Sequence, residues 1–344
     1  MSDTAESNPR MSTSLLVGDI GGTKTLLRLV DGHGIPLVTQ RFESKGPGLG
    51  ALVEKFLESA AVGEDRPRVA VFGVAGPVLD GVCAATNLPW IMDERVLERE
   101  LGIEQVRLLN DFEATAYGVS SVAPEHLVTL QVGNRRPHAP IAVIGAGTGL
   151  GEAVLAYTGN DYVVLPTEGG HVDFAPRNEL EDMVLRALRS KLSGRVSVER
   201  IVSGLGIGRV YEVLREAGIE PESPGIAEEL AKAGDLGAVI GAHALAGDDR
   251  LCMRTIEFFV SAYGSEAGNM ALRTLSRGGV YITGGIAPKL LPKLRDGAFL
   301  AAFLDKGRMS DLIAEMPVHV VLDPDVPLLG AFHIAAKVAW ETLT

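Results

Sequence analysis

Cysteine is scarce in this chain, and positive charge is in the minority. The 344 residues include two cysteines, Cys83 and Cys252, which excludes a disulfide framework and a four-thiolate zinc site and indicates a reducing, cytoplasmic location. Lysine and arginine total 32 against 44 aspartate and glutamate, which gives a net charge of −12. Such an acidic chain is not expected to bind nucleic acid or an anionic membrane surface.

Long apolar runs are missing as well. No stretch approaches the roughly 20 apolar residues of a membrane-spanning helix. Residues 1–13 are small and polar, without the apolar core of a signal peptide, and are expected to form a disordered tail. The overall composition, 46% hydrophobic and 22% charged, is typical of a soluble globular protein, and the length suffices for two domains.

The chain from Ser14 to Val30 reads SLLVGDIGGTKTLLRLV, two apolar runs joined by a glycine turn, which predicts strand, turn and strand. Glycines in such a turn let a ligand approach the backbone, and successive N–H groups form a concavity for anions. Asp19, beside the turn, would repel a phosphate unless Mg²⁺ lay between them, and magnesium is usually held by carboxylates and substrate phosphates together. The hairpin is therefore predicted to bind a Mg-nucleotide; the alternative is an ordinary hairpin whose glycines only satisfy turn geometry.

A second glycine turn, at 145–149, follows an apolar run that begins at Ile141 and leads into another strand-like segment. It is not a dinucleotide-binding fingerprint, because the third glycine of that motif would fall at Leu150 or Glu152, and because a strand follows where a helix is required. Elsewhere strands alternate with helices, which predicts an α/β fold. Two phosphate-binding hairpins are typical of the two-domain actin-like ATPase (ribonuclease H-like) fold, which has a cleft between its domains.

Asn110 and Asp111 stand where a predicted strand ends and a helix begins, the position at which α/β folds bind ligands. Both residue types also cap helices well, and capping alone is the simpler interpretation. Together with a phosphate-binding hairpin, however, a carboxylate here suits a kinase, which needs a base to accept the proton of the attacking hydroxyl. The adjacent amide offers a donor and an acceptor for a sugar hydroxyl.

Three further segments carry candidate binding groups. In the loop from Glu168 to His171, two glycines allow the chain to fold back so that the acidic and imidazole side chains converge. Glu199 is a candidate third acceptor, although taken alone it is typical of a helix-surface charge. Gly284 and Gly285 follow an apolar strand, where the missing side chains would let an adenine ring lie against the backbone; a generic strand-end turn is the alternative.

The order of these motifs resembles that of the bacterial glucokinases of the hexokinase group, over essentially the whole chain from Ser14 onward. The matching segments are GDIGGT at 18–23, AGPV at 75–78, TNLPW at 86–90, LNDFEATAYG at 109–118, GAGTGLG at 145–151, EGGHVDFAP at 168–176, ERIVSG at 199–204 and TGGI at 283–286. The resemblance implies ATP-dependent phosphorylation of the 6-hydroxyl of D-glucose, the first step of glycolysis. ATP and Mg²⁺ are the implied cofactors, and a homodimer is the implied assembly.

The resemblance also assigns residues. It implies that Asp111 is the catalytic base and that glucose hydroxyls are bound by Asn110, Asp111, Glu168, His171 and Glu199. It implies that ATP is bound by Gly18, Asp19, Ile20, Gly21, Gly22, Thr23, Gly147, Thr148, Gly149, Gly284 and Gly285, with Asp19 holding Mg²⁺ through water. It divides the chain into a small α/β domain, residues 14–121 with 327–344, and a large one, residues 122–326.

Other functions on the same fold remain open from sequence. A related kinase could act on another hexose, such as mannose or an N-acetylated hexosamine, because sequence does not define a pocket to one substituent. A non-catalytic actin-like ATPase is a second alternative, but it would not need the candidate sugar-binding residues. The repressor-related (ROK) sugar kinases share the first hairpin, yet many carry a cysteine-rich zinc motif that two separated cysteines cannot supply.

Overall fold

The computed structural model describes residues 14–62, 66–85, 88–192 and 194–343. The tail predicted for residues 1–13 lies outside the described residues. The chain forms two compact units. The first runs as far as Val122 and resumes at Asp325, and the second is Ala123–Pro324.

Strands and helices alternate along the chain, as the sequence predicts. The strands are β1 (Leu15–Ile20), β2 (Lys24–Val30), β3 (Pro36–Glu43), β4 (Val69–Val74), β5 (Val78–Leu79), β6 (Val82–Ala84), β7 (Ile91–Asp93), β8 (Gln105–Asn110), β9 (Leu127–Gln131), β10 (Ile141–Ala146), β11 (Leu150–Tyr157), β12 (Tyr162–Thr167), β13 (Gly279–Thr283) and β14 (Val318–Val321). The helices are α1 (Leu49–Ser59), α2 (Glu94–Leu101), α3 (Asp111–Gly118), α4 (Glu179–Lys191), α5 (Gly204–Glu216), α6 (Pro224–Lys232), α7 (Leu236–Ala246), α8 (Arg250–Thr274), α9 (Leu291–Leu294), α10 (Ala298–Leu304), α11 (Ser310–Ala314) and α12 (Val326–Leu343).

The first unit is built on a sheet with the strand order β3-β2-β1-β4-β8. Its first three strands pair antiparallel, whereas β1, β4 and β8 run parallel. All six residues of β4 are buried, as expected for the centre of a sheet covered on both faces. The register places Ile20, Val74 and Asn110 in one row, so Asp19 and Asp111 come to the same carboxyl edge of the sheet.

Two helices of this unit cross closely. A Cβ on Gly330 of α12 would lie 1.8 Å from the carbonyl oxygen of Ala114 in α3, and a Cβ on Gly118 would lie 2.0 Å from that of Val326. Because only glycine permits such an approach, these residues bring α12 against α3, whose first residue is Asp111. The end of the chain thus packs beside a candidate catalytic group.

The second unit repeats this plan in a sheet with the order β12-β11-β10-β13-β14-β9. Its first three strands are again antiparallel, and β10, β13 and β14 run parallel. The β1–β2 and β10–β11 hairpins therefore hold equivalent positions, and each is closed by one of the two glycine turns. Sequence analysis does not predict β9, an antiparallel edge strand in which no residue is fully buried.

Helix α8 forms the centre of the second unit's core. One face of α8, with residues at three- and four-residue spacing, is at most 3% exposed and consists of Cys252, Ile256, Phe259, Val260, Tyr263, Ala267 and Met270. Both cysteines of the chain are buried and free. Among the helices of the described ranges, none is both long and apolar enough to cross a membrane.

Candidate active site

The first glycine turn joins β1 to β2 as predicted. The Gly21 N–H donates to the carbonyl oxygen of Lys24 at 2.9 Å. Ser44 supports the turn, because its hydroxyl donates to the Gly21 carbonyl at 2.6 Å and its N–H donates to the Thr23 carbonyl at 3.0 Å. The Gly21 amide is thus used within the turn, and the candidate phosphate donors are the amides of Gly22 and Thr23 at its tip.

Gly18 and Ile20 serve packing. Gly18 lies inside β1, where a Cβ would come 2.7 Å from Phe72 and 2.8 Å from Leu27, and Ile20 is 1% exposed in the core. These contacts explain both residue types without a ligand. The family motif includes them because it contains packing residues and binding residues alike.

Asp19 is a half-buried carboxylate among other acids. Burial is the main reason that its pKa rises to about 6, and the charges of Asp111 and Asp325 raise it further against a smaller opposing effect of Arg41. A nearby cation stabilises the charged form of a carboxylate that is buried among other acids. This electrostatic environment fits the oxygen-ligand chemistry of Mg²⁺. The described residues contain no group of three or more His, Cys, Asp or Glu side chains arranged to hold a metal ion.

Asn110 and Asp111 occupy the junction of β8 and α3. The Asn110 Oδ1 accepts the N–H groups of Phe112 at 3.0 Å and of Glu113 at 3.3 Å, and its Nδ2 donates to the Gly76 carbonyl at 3.1 Å. The capping interpretation is therefore correct for Asn110, and the cap also fixes its amide at the edge of the sheet. Asp111 is half-buried and accepts the N–H of Phe112 at 2.8 Å, in the first turn of a helix, where a negative charge is favoured.

The second unit contains a cavity of about 1010 Å³. It is lined by Gly147 and Thr148 of the second glycine turn and by residues of α5 and α7. Four residues that follow β13 also line it: Gly285, Ile286, Lys289 and Leu290. The Gly147 N–H donates to the Gly149 carbonyl at 2.9 Å, and the Gly204 N–H, at the start of α5, donates to the Gly147 carbonyl at 2.8 Å. Helix N-termini carry partial positive charge, so this cavity favours an anionic ligand of nucleotide size.

Gly284 and Gly285 have different roles. Gly285 lines the cavity, and a Cβ there would meet no atom within 4 Å. Gly284 has a φ of 81°, and its Cβ would lie 2.4 Å from the carbonyl oxygen of Ala146. Turn geometry and contact with β10 therefore explain Gly284, whereas Gly285 is the member of the pair that faces a ligand space.

The loop from Glu168 to His171 folds back as predicted. A short 3₁₀ turn, Gly169–His171, brings the Glu168 Oε2 within 3.7 Å of the His171 Nε2, with the two side chains 79% and 56% exposed. Thr167 fixes the base of the loop, because its Oγ1 accepts the Gly169 N–H at 3.1 Å and donates to the Glu152 carbonyl at 2.9 Å. An acceptor and an imidazole thus project together from an anchored loop.

Glu199 contacts the second glycine turn. Its Oε2 accepts the N–H of Leu150 at 3.1 Å, and a Cβ on Gly149 would lie 2.5 Å from the same oxygen. The interpretation as a simple helix-surface charge is therefore wrong. Arg195, a few residues earlier, donates to the carbonyl oxygen of His171, so the segment that carries Glu199 also supports the Glu168 loop.

Several residues around the cavity are not predicted by the sequence patterns. Its lining includes four charged residues, Arg209, Glu212, Asp235 and Lys289. The available signal was the spacing of small residues at the helix starts, for example Gly204 in α5 and Gly237 in α7. A Cβ on Gly237 would lie 2.9 Å from the Gly204 carbonyl oxygen, so glycine is what allows the two helix N-termini to meet there.

Comparison with known proteins identifies the family. A family model described as Glucokinase matches residues 16–338. The chain is 46% identical to a glucokinase of Nostoc sp., over 94% of this chain and 99% of that protein. The chain belongs to the glucokinase family. Among solved structures, a glucokinase from an Antarctic psychrotroph is 30% identical with a TM-score of 0.82, over 94% of this chain and 99% of that one. A ROK family glucokinase from Streptomyces griseus, in complex with glucose and AMPPNP, is 20% identical with a TM-score of 0.61, over 94% of this chain and 99% of that one.

Membership of the glucokinase family confirms the resemblance and the predicted fold class. The two similar sheets are those of the actin-like ATPase fold, which the solved glucokinases share. The protein is an enzyme, a kinase that phosphorylates glucose. The comparisons do not favour the non-catalytic actin-like ATPase.

Proposed function

We propose that this glucokinase transfers the γ-phosphoryl group of ATP to the 6-hydroxyl of D-glucose with Asp111 as the general base. The observation that carries this proposal is the carboxyl edge of the first sheet. There, Asp111 lies close enough to Asp19 for its charge to raise the pKa of the Asp19 carboxyl group. A base for the acceptor hydroxyl beside a carboxylate for the metal is the pairing that phosphoryl transfer to a sugar needs.

In this proposal, five residues offer hydrogen bonds to glucose hydroxyls. In the first unit, Asn110 offers an amide oriented by its cap, and Asp111 offers its carboxylate. In the second unit, Glu168 and His171 present an acceptor and an imidazole 3.7 Å apart, and Glu199 is oriented by a backbone N–H. Carboxylates accept hydrogen bonds while imidazole and amide groups can donate them, so the set suits a ligand rich in hydroxyl groups.

ATP is bound by the two glycine turns and the cavity. Adenosine occupies the cavity beside Gly285, and phosphates are bound by the amides of Gly22, Thr23 and Thr148 and by the N-terminus of α5. Three residues of the matching segments pack within the fold and are not proposed to contact ATP: Gly18, Ile20 and Gly284. Asp19 would hold Mg²⁺ through water, and the ion, when bound, neutralises the charge of the phosphates. The glucose and AMPPNP of the Streptomyces griseus structure support this choice of ligands.

Asp111 acts when the sugar oxygen attacks. It accepts the proton of the 6-hydroxyl as that oxygen bonds to phosphorus and the bond to the ADP leaving group breaks. A positioned base of this kind contributes roughly 10²–10⁴-fold to the rate. Asp111 stands in the first turn of α3, at the positive end of the helix dipole.

Composition and the family resemblance carry the cellular setting. We propose a cytoplasmic homodimer that catalyses the first step of glycolysis. Two buried free cysteines agree with a reducing compartment, and a net charge of −12 argues against nucleic acid or a membrane as a partner. The homodimer rests on the family resemblance, and sedimentation velocity would test it directly.

The first experiment measures ADP release from ATP and Mg²⁺ without sugar, with glucose, and with a panel that includes mannose and N-acetylated hexosamines. Stimulation by glucose above all other sugars supports the proposal, and stimulation by a different sugar would contradict the assignment of glucose as the substrate.

Asp111→Asn should lower kcat by about 10²–10⁴-fold while nucleotide affinity stays unchanged. A kcat like that of wild type would exclude Asp111 as the base.

A further inference from the structure

Glu152 is a buried acidic side chain directly beneath the sugar-binding loop. It is 4% exposed on β11, and its Oε1 has no hydrogen-bond partner in the described part of the chain. A Cβ on Gly169 would lie 2.1 Å from the Glu152 Oε2, and a Cβ on Gly170 would lie 2.2 Å from the carbonyl oxygen of Leu150. The two glycines between Glu168 and His171 therefore rest on β11 in direct contact, and a displacement of the Glu152 carboxyl group displaces Gly169.

Glu152 faces a second buried acid. Glu266 of α8 is 4% exposed and is paired with Arg273 at 2.8 Å and with Asn269 at 3.0 Å. Burial is the main cause that raises the pKa of Glu152 to about 7, the charge of Glu266 adds to it, and Arg273 opposes it weakly. Glu152 therefore changes its charge close to neutral pH, in a place where the charge has poor compensation.

The other groups around Glu152 and Glu266 do not compensate the charge of Glu152. Tyr263 of α8 hydrogen-bonds the backbone of β10 with its hydroxyl, and burial raises its pKa, so it stays neutral. Lys306 follows α10 and donates to the Ser265 carbonyl at 3.2 Å, from where it also attracts Glu266. On β10, the residue paired with Glu152 is the apolar Ile144.

We propose that Glu152 is a positioning residue for sugar binding: protonated, it supports the Gly169–Gly170 turn, and ionised, it moves toward solvent, displaces the turn and weakens glucose binding. A buried carboxylate with an unpartnered oxygen and an acidic neighbour gains free energy by reaching water, and the backbone of Gly169 packs against its other oxygen. The inference rests on the proposed role of Glu168 and His171. Asp111 is not among the groups whose charge acts on Glu152, so the effect is expected in KM and not in kcat.

The test measures KM for glucose and kcat from pH 6 to pH 8.5. For wild type, KM for glucose should rise about tenfold between pH 6 and pH 8, because the loss of one proton from Glu152 weakens glucose binding. The ionisation of Glu152 should leave kcat unchanged. Glu152→Gln keeps the shape without the charge, so its KM should stay low across the range. Glu179→Gln is the control, since Glu179 is an exposed residue of α4, and its profile should follow wild type.

A second measurement uses wild type alone. Calorimetric titration with glucose at pH 7.5, in buffers of different ionisation enthalpy, should show proton uptake on binding.

Glu266→Gln should move the midpoint of the KM rise to lower pH, because it removes the negative charge of Glu266 and leaves the positive charge of Arg273. A flat KM in an active wild-type enzyme, no proton uptake, or a Glu152→Gln profile like that of wild type would overturn this inference alone. Absence of glucose turnover at every pH would overturn the proposed site as well.

Discussion

Replacing Asp19 with asparagine should make the ligand-free protein more stable and nearly inactive. Burial and the charges of Asp111 and Asp325 raise the pKa of Asp19 from 3.8 to about 6. The folded state therefore binds more protons than the unfolded state between these values, so stability falls as pH rises through this window and the full cost is present above pH 6. At about 1.4 kcal/mol per pKa unit, that cost is at most about 3 kcal/mol.

Asparagine has nearly the same shape and no charge. The Asp19→Asn variant should gain up to about 3 kcal/mol in free energy of unfolding at pH 8, and well under about 1 kcal/mol at pH 4. Denaturant unfolding followed by tryptophan fluorescence measures this gain, because Trp90 and Trp340, the two tryptophans of the chain, both belong to the first unit. Asp80→Asn is the control, since Asp80 is exposed with a φ of 51°, which asparagine tolerates.

The gain in free energy of unfolding at pH 4 and at pH 8 tests whether the charge of Asp19 destabilises the folded protein. A variant no more stable than wild type at pH 8, or equally stabilised at pH 4 and pH 8, would refute the view that burial of this charge is costly. Saturating Mg-ATP should narrow the difference, because a ligand that binds folded wild type stabilises it. Turnover should fall sharply in Asp19→Asn alone, since the proposed metal contact needs the carboxylate.

Three further substitutions test the second unit. Gly149→Ala should lower the free energy of unfolding by about 1–3 kcal/mol, because its Cβ would lie 2.5 Å from the Glu199 Oε2. Gly147→Ala meets no atom within 4 Å and should unfold like wild type without ligand, and thermal unfolding compares the two. Glu168→Gln should raise KM for glucose and leave KM for ATP unchanged in steady-state kinetics; an effect on ATP alone would contradict the assignment of this loop.

Local sequence patterns determined the elements and much of the family identity. The hairpin around Asp19, the strand that ends at Asn110 and the buried face of α8 all follow from the spacing of apolar residues, because side chains alternate along strands and recur every three to four residues along helices. The two glycine turns, each between two strand-like segments, predicted the β1–β2 and β10–β11 hairpins. The edge strand β9 was not predicted, because its sequence is only weakly amphipathic. Its residues are partly buried by pairing with β14, a strand that is distant in sequence.

Only the tertiary structure decided which residues of a motif face a ligand and which face the protein. Gly18 and Gly284 look like ligand-binding glycines in sequence, but side chains or backbone of the fold occupy the space of their Cβ atoms, whereas Gly285 faces a cavity. Glu152 looks like an ordinary strand residue until Glu266 and Gly169 are seen beside it. The physical reason is that burial and charge at a residue depend on neighbours far away in the chain, and a local pattern contains no information about those neighbours.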